Sequence, residues 1–264
     1  MEDLKGRSAL VTGASTGIGA AVAIAYAARG MRVAVHYNSS RAAAEQVVAT
    51  IQAAGGEAFA LQADVRDSAA IRRVVGEAHD RLGAIDVLVN NAGSLVKRLP
   101  IADFDDAVFD EVLHINARSV LAFCREVVPL MRAQGRGGSI VNVSSIASQR
   151  ALTRTVGYGA AKAAVENFTR WLAVDCARNY GDRLRVNAIA PGFFVGDQNR
   201  ALLLDDVGGL TPRARTIVEH TPAGRLGEPD DLVTTLLWLC SPASRFVTGV
   251  VVPVDGGFNS FGGV

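Results

Sequence analysis

The chain has 264 residues, with 27 Lys and Arg against 26 Asp and Glu, a formal net charge of +1. A hydrophobic fraction of 49% excludes an intrinsically disordered chain. The balanced charge leaves no general electrostatic footprint for nucleic acid or an anionic membrane.

The length is enough for one large domain with a substantial core, and no repeat or Pro/Ser linker divides it. Cys124, Cys176 and Cys240 are too sparse for a disulfide framework, and without a CxxC pair they do not suggest a zinc site. No secretory h-region and no apolar run of roughly 20 residues is present, so the expected home is a reducing cytoplasm.

Short apolar runs alternate with longer helical ones. Ser8–Thr12 reads as a buried strand, Ile18–Arg29 as an Ala-rich helix and Arg32–Tyr37 as a second strand. Ser40–Ala54 follows as a helix, with Ser39 or Ser40 as N-cap and Gly55-Gly56 as its stop. Glu57–Gln62 is a strand, Ser68–Leu82 a helix and Asp86–Asn90 a strand. One long helix is expected over Asp105–Ala133, its last turn distorted by Pro129. Gly138–Ser144 (strand), Tyr158–Asn179 (helix) and Arg183–Ala190 (strand) come next. Helices near Thr211–His220 and Pro229–Ser241 and a strand at Val250–Val254 complete the series. The alternation predicts a doubly wound, parallel, seven-stranded α/β sheet with helices on both faces, and its connecting loops gather at the C-terminal edge, where such sheets bind ligands.

Thr12–Gly19 (TGASTGIG) lies between the first strand and the first helix. Its glycines permit a sharp turn and close approach to a pyrophosphate, and the helix start supplies N–H donors. The second strand ends in Tyr37-Asn38-Ser39-Ser40-Arg41 with no acid to bind a ribose 2′-hydroxyl. Two hydroxyls and an Arg suit a 2′-phosphate instead, so the pattern favours NADP(H) over NAD(H). Helix capping alone would also account for Ser39 and Ser40. Tyr158 and Lys162 lie one turn apart on a helix face, where an ammonium can lower the phenol's pKa toward that of a usable base.

These motifs, with Asn90-Asn91-Ala92-Gly93, Asn116, Ser145 thirteen residues before Tyr158, and Pro191-Gly192, resemble the classical short-chain dehydrogenase/reductase family from Arg7 to about Phe258. The resemblance implies a single-domain Rossmann fold over residues 1–264, with a substrate lid at about 191–225. It also implies hydride transfer between NAD(P) and a secondary alcohol or ketone. It makes Tyr158 the general acid/base and Lys162 the group that tunes it and holds the ribose. Ser145 binds the substrate oxygen, and Asn116 binds a water in a proton relay. For the cofactor it implies Gly13, Ser15, Thr16, Gly17, Ile18 and Gly19 at the phosphates, and Tyr37 to Arg41 at the adenosine ribose. Asp64 and Val65 fall at the adenine, and Asn91, Ala92, Gly93, Tyr158, Lys162, Pro191, Gly192 and Phe194 at the nicotinamide half. Gly196 stands where the family often has a carboxamide-binding Thr, leaving the backbone, Gln198 or Asn199 for that role.

The C-terminal part resembles the D-mannonate oxidoreductase and sugar-acid dehydrogenase branch, which points to a polyol, sugar or sugar acid. Lys97, Arg98, Arg154 and Arg200 are the candidate partners for a carboxylate. Phe193, Phe194 and Leu202–Leu204 are candidate lid residues. A 3-oxoacyl-[acyl-carrier-protein] reductase shares the core motifs and is the alternative, with a non-catalytic NADP-sensing protein as the outside reading. No metal is expected, because His36, His79, His114 and His220 form no ligand pattern and read as capping or surface residues. The family implies a homotetramer, with the 105–133 and 158–179 helices at one interface and Val254–Gly257 at a second.

Overall fold

The computed structural model describes residues 4–196 and 199–263. Seven strands form one sheet: β1 (Ser8–Val11), β2 (Arg32–Tyr37), β3 (Glu57–Gln62), β4 (Val87–Asn90), β5 (Gly138–Val143), β6 (Leu184–Pro191) and β7 (Val251–Val254). Their order is β3-β2-β1-β4-β5-β6-β7 and every neighbouring pair is parallel. This is the expected doubly wound sheet, with its order reversing between β1 and β4.

The side-chain period of two sorts the strand residues onto two cores. Ala9, Val11, Val33, Val35, Val87, Val89, Val141 and Val143 pack under α1 (Gly17–Ala27), α2 (Arg41–Ala53) and α9 (Pro229–Cys240). Leu10, Ala34, Leu88 and Ile140 pack on the opposite face under α3 (Ser68–Leu82), α5 (Ser119–Ala133) and α6 (Val156–Tyr180). All three cysteines are buried and free. A smaller separate core of Leu203, Ala214, Ile217 and Leu226 holds the segment carrying α7 (Arg200–Leu203) and α8 (Pro212–Glu219).

The expected long helix over Asp105–Ala133 is not one regular helix. It consists of α4 (Asp106–Leu113), a π-helical turn at His114–Arg118, and α5. Asn116 lies in the wide turn, where its amide donates to Val112 O at 2.9 Å and Ser94 O at 2.7 Å. Those bonds outweigh the weak helix propensity of asparagine and tie the helix to the loop after β4. Pro129 does not end α5, which runs on to Ala133. The proline sits on the exposed side, where its missing N–H leaves a carbonyl that water can reach. Ser40 occupies the N-cap position of α2, but its side chain makes no capping bond. Gly256 and Gly257, expected at a subunit interface, are required within the chain. Both have positive φ, and a Cβ would strike Thr221 at the first and crowd Pro222 at the second.

Candidate active site

At the order reversal the ends of β1 and β4 are stitched together by side chains. Thr12 Oγ1 accepts from the backbone N–H groups of Asn91 and Ala92 at 2.9 and 3.0 Å. Asn91 Nδ2 donates to the carbonyls of Thr12 and Gly13, both at 2.9 Å. This lock forces close contacts. A Cβ on Gly13, which has φ +59°, would lie 2.9 Å from Ala92 Cα, and one on Gly19 would lie 2.5 Å from Asn91 Nδ2. At Gly17 a Cβ would meet nothing, so the turn is open there beside the N-terminus of α1.

From this turn a cavity of about 600 Å³ runs along the C-terminal edge of the sheet. It brings together Gly13, Ser15, Thr16, Gly17, Ile18, Asn38, Ser39, Ser40, Asp64, Val65, Asn91, Ala92, Gly93, Ser145, Tyr158, Lys162, Pro191, Gly192 and Phe194. Gly19 and Asn116 support this wall from behind. Tyr37 is buried within β2, and neither it nor Arg41 lines the cavity. Arg41 is on the surface, paired with Glu45 at 2.7 Å one turn along α2.

The strand pattern alone did not disclose two other charged wall residues. Arg66 forks onto Asp64, with contacts down to 2.6 Å, and reaches Glu111 at 3.1 Å. That hydrogen bonding holds the Asp64 carboxyl below its ordinary pKa against the opposing effect of burial. The signal was Arg66's position directly after Asp64-Val65.

At the other end, Lys162 is buried and its Nζ donates to Val143 O at 2.8 Å. Among the described residues no carboxylate pairs with it, and desolvation lowers its pKa to about 8. Its Nζ lies 5.5 Å from the Tyr158 ring centroid. Desolvation raises the half-buried Tyr158 phenol above the ordinary tyrosine value, while hydrogen bonding from Ser145 and then the charge of Arg98 pull it down. Arg98 thus adds a charge near the phenol that the helix spacing of Tyr158 and Lys162 did not disclose. A Cβ on Gly93 would lie 2.8 Å from Asn116 Oδ1 and 3.4 Å from Lys162 Nζ, so these three residues meet at one point. Both ends of the Asn116 amide are occupied by protein, since Oδ1 accepts from Ser94 N at 3.1 Å and Nδ2 donates to carbonyls. Its side chain is thus tied to the β4 loop, with one lone pair of Oδ1 left over.

Behind Ser145, the buried carboxylate of Glu166 accepts from Ser144 at 3.0 Å and from Gln149 at 3.1 Å, and also from Ser148. The Ser144 hydroxyl is thereby engaged by Glu166, although the residue borders the cavity.

Of the four cations considered for a carboxylate, only Arg98 lines this cavity. Arg154 borders a neighbouring groove, while Lys97 and Arg200 are exposed. Asn199 is spent on its own loop, accepting from Gly196 N at 2.8 Å and donating to Phe194 O at 2.7 Å. Gln198 lies outside the described residues. Among the described residues no cluster is able to hold a metal, and no helix is long and apolar enough to cross a membrane.

A glycine turn at the β1/β4 reversal, with Ser145, Tyr158 and Lys162 converging at the far end of one cavity, matches a known family. Residues 13–259 match the family model described as enoyl-(acyl carrier protein) reductase. The chain is 39% identical to the uncharacterized oxidoreductase UxuB of Bacillus subtilis (strain 168), covering 100% of this chain and 98% of that protein. It is 37% identical to a 3-oxoacyl-[acyl-carrier-protein] reductase of Synechocystis sp. (strain ATCC 27184 / PCC 6803 / Kazusa), over 99% and 100% of the two chains. A solved gluconate 5-dehydrogenase from Burkholderia cenocepacia J2315, in complex with NADP and tartrate, superposes with a TM-score of 0.88 at 33% identity, covering 98% of each chain.

The chain belongs to the classical short-chain dehydrogenase/reductase family. It is an NAD(P)-dependent oxidoreductase.

The geometry of this oxidoreductase makes Gly19 intolerant of any side chain. Gly19→Ala is expected to cost about 1–3 kcal/mol of stability in urea unfolding. It should also weaken NADPH binding at least tenfold in a fluorescence titration.

Proposed function

We propose that the protein transfers a hydride between NADP(H) and a secondary alcohol or ketone that carries a carboxylate, of the sugar-acid type. The observation that supports this best is Arg98. Its guanidinium borders the cavity close to Tyr158 and has no ion-pair partner among the described residues. Arg213 of α8 adds a second positive charge nearby, and burial and that charge together lower the pKa of Arg98. An unpaired, partly desolvated guanidinium at the reacting end is a fitting site for a carboxylate, which it can bind with two parallel hydrogen bonds.

The NADP preference rests on the acid-free end of β2 and on Ser39 and Ser40, whose exposed side chains line the cavity. Arg41 is within easy reach of the same role. Its i,i+4 pair with Glu45 is exposed and therefore weak, so a 2′-phosphate can compete for it.

In this reading the helix start at Gly17 and the open turn hold the pyrophosphate, and Asp64 and Val65 border the adenine. Gly93, Pro191, Gly192 and Phe194 enclose the nicotinamide half. The dinucleotide, when bound, supplies or accepts the hydride. Tyr158, kept protonated by its raised pKa, gives its phenolic proton to the substrate oxygen in reduction and takes it back in oxidation. Ser145 hydrogen-bonds that oxygen and stabilises the charge that develops on it. Lys162, charged below about pH 8, binds the ribose and favours the phenolate left after transfer. Asn116 fixes the π-turn and the Gly93 loop around that ammonium. The segment at about 191–225, in which Leu203, Ala214 and Ile217 share a small apolar core with Leu226, serves as the lid over the substrate.

A homotetramer is the assembly that goes with this reading. Leu121 on α5 and Trp171 and Val174 on α6 leave an apolar face exposed, Trp171 by 60%.

The alternative of an acyl-carrier-protein ketone reductase is supported by the Synechocystis relative. It needs a basic docking surface for an acidic carrier, whereas Arg98 lies within the cavity.

Tyr158→Phe should lower ketone reduction about a thousandfold while leaving the NADPH dissociation constant unchanged. Near-normal turnover would overturn the assignment. Arg98→Gln should raise KM for a carboxylate-bearing ketone about tenfold to a hundredfold and leave a neutral ketone unaffected in steady-state assays. Light scattering should give the mass of four chains, and Trp171→Glu should reduce it.

A further inference from the structure

His36 was set aside in the sequence as a capping or surface residue, and the structure corrects that. It lies in β2 with 1% of its surface exposed and borders the cofactor cavity. Its ring makes two hydrogen bonds of opposite polarity. The backbone N–H of Gly13 donates to Nδ1 at 3.1 Å, and Nε2 contacts the carbonyl of Ala63 at 3.1 Å.

An N–H group only donates and a carbonyl only accepts, so the tautomer follows. Nδ1 carries the lone pair and Nε2 the proton. The residue's own carbonyl accepts from Ala14 N at 2.8 Å, so side chain and backbone of His36 hold two successive amides of the turn. The ring is braced edge-on against Phe123, with centroids 5.7 Å apart. Burial lowers its pKa to about 4, so it remains the neutral acceptor across the physiological range.

We propose that His36 is a positioning residue for the cofactor, its Nδ1 lone pair fixing the Gly13 peptide so that the glycine-rich turn is preset to receive the pyrophosphate. The Gly13 N–H is committed to the ring of His36 and the Ala14 N–H to its carbonyl, which leaves the later amides of the turn for the phosphates. Without an acceptor at this position a buried N–H is left unpaired, and the turn relaxes to satisfy it. The inference rests on the reading that the Gly13–Gly19 turn holds the dinucleotide.

The test compares His36→Leu, which removes both polar contacts, with His36→Asn. The asparagine Oδ1 falls where Nδ1 was, but its amide nitrogen does not extend to Ala63. In His36→Leu, KM and the dissociation constant for NADPH should rise about tenfold with kcat at saturating cofactor within twofold. His36→Asn should recover most of that loss. Unchanged NADPH affinity in the leucine variant, or equal impairment of both variants, would overturn the proposal.

Should His36→Leu not fold, histidine-selective ¹⁵N NMR of the wild-type protein decides. An unprotonated Nδ1 that shifts on NADP⁺ saturation is expected, and a protonated or unresponsive Nδ1 would refute the role. If wild-type protein binds no NADPH, the underlying cofactor reading fails instead.

Discussion

The reversal of strand order between β1 and β4 is the constraint on which the site depends. Two parallel strands whose connections leave in opposite directions open a crevice at their C-terminal ends. Here the crevice is held to a fixed width by side-chain bonds. Thr12 caps two amides of the β4 loop, and Asn91 returns two bonds to the β1 turn. Because the lock spans both loops, the glycine turn and the Gly93 loop cannot move independently. His36 adds a third strand to it, since its imidazole ties the same turn to β2 and to the loop after β3.

At the reacting end, desolvation outweighs direct charge pairing. Tyr158 and Lys162 are both shifted toward their neutral forms by burial, and Lys162 offsets that cost with a backbone carbonyl rather than a carboxylate. A tyrosine retaining its proton beside a weakly held ammonium suits reversible proton transfer, because neither partner is locked into one state. Glu166 sits one turn beyond Lys162. Its buried charge is met by Ser144, Ser148 and Gln149 around Ser145 and by Arg170 at 3.5 Å, so it shapes the Ser145 loop.

Charge in this molecule acts locally. The net charge of +1 gives no long-range field to gather an anionic cofactor or substrate. In the described cavity Arg66 is matched by Asp64 and Glu111, whereas Arg98 is unmatched. The end beside Asp64 thus carries one cation against two carboxylates and the end beside Tyr158 an unmatched cation, an asymmetry that in the proposed reading suits a substrate bearing its own negative charge.

By itself the sequence determined the sheet and its connections, and its resemblance to the family named many of the residues that line the cavity, though not His36, Arg66 or Glu111. The sheet depends on strand and helix periodicity, and the resemblance on short motifs such as the glycine turn and a Tyr and a Lys one helical turn apart. Tertiary structure decided what no spacing encodes. The register of β2 against the glycine turn made His36 an internal acceptor. The π-turn at Asn116 arose because bonds to the Ser94 loop were worth more than a regular helix. Arg98 was selected over Lys97, Arg154 and Arg200 because a loop with Val96 at φ +59° leads into it and places it on the cavity wall beside Tyr158. Arg41, which the motif at the end of the second strand placed at the cofactor, is paired with Glu45 on the surface of α2, since an i,i+4 partner is always within reach on a helix surface. Hydrogen bonds and charges between distant segments depend on which segments meet, and that is settled only when the whole chain has packed.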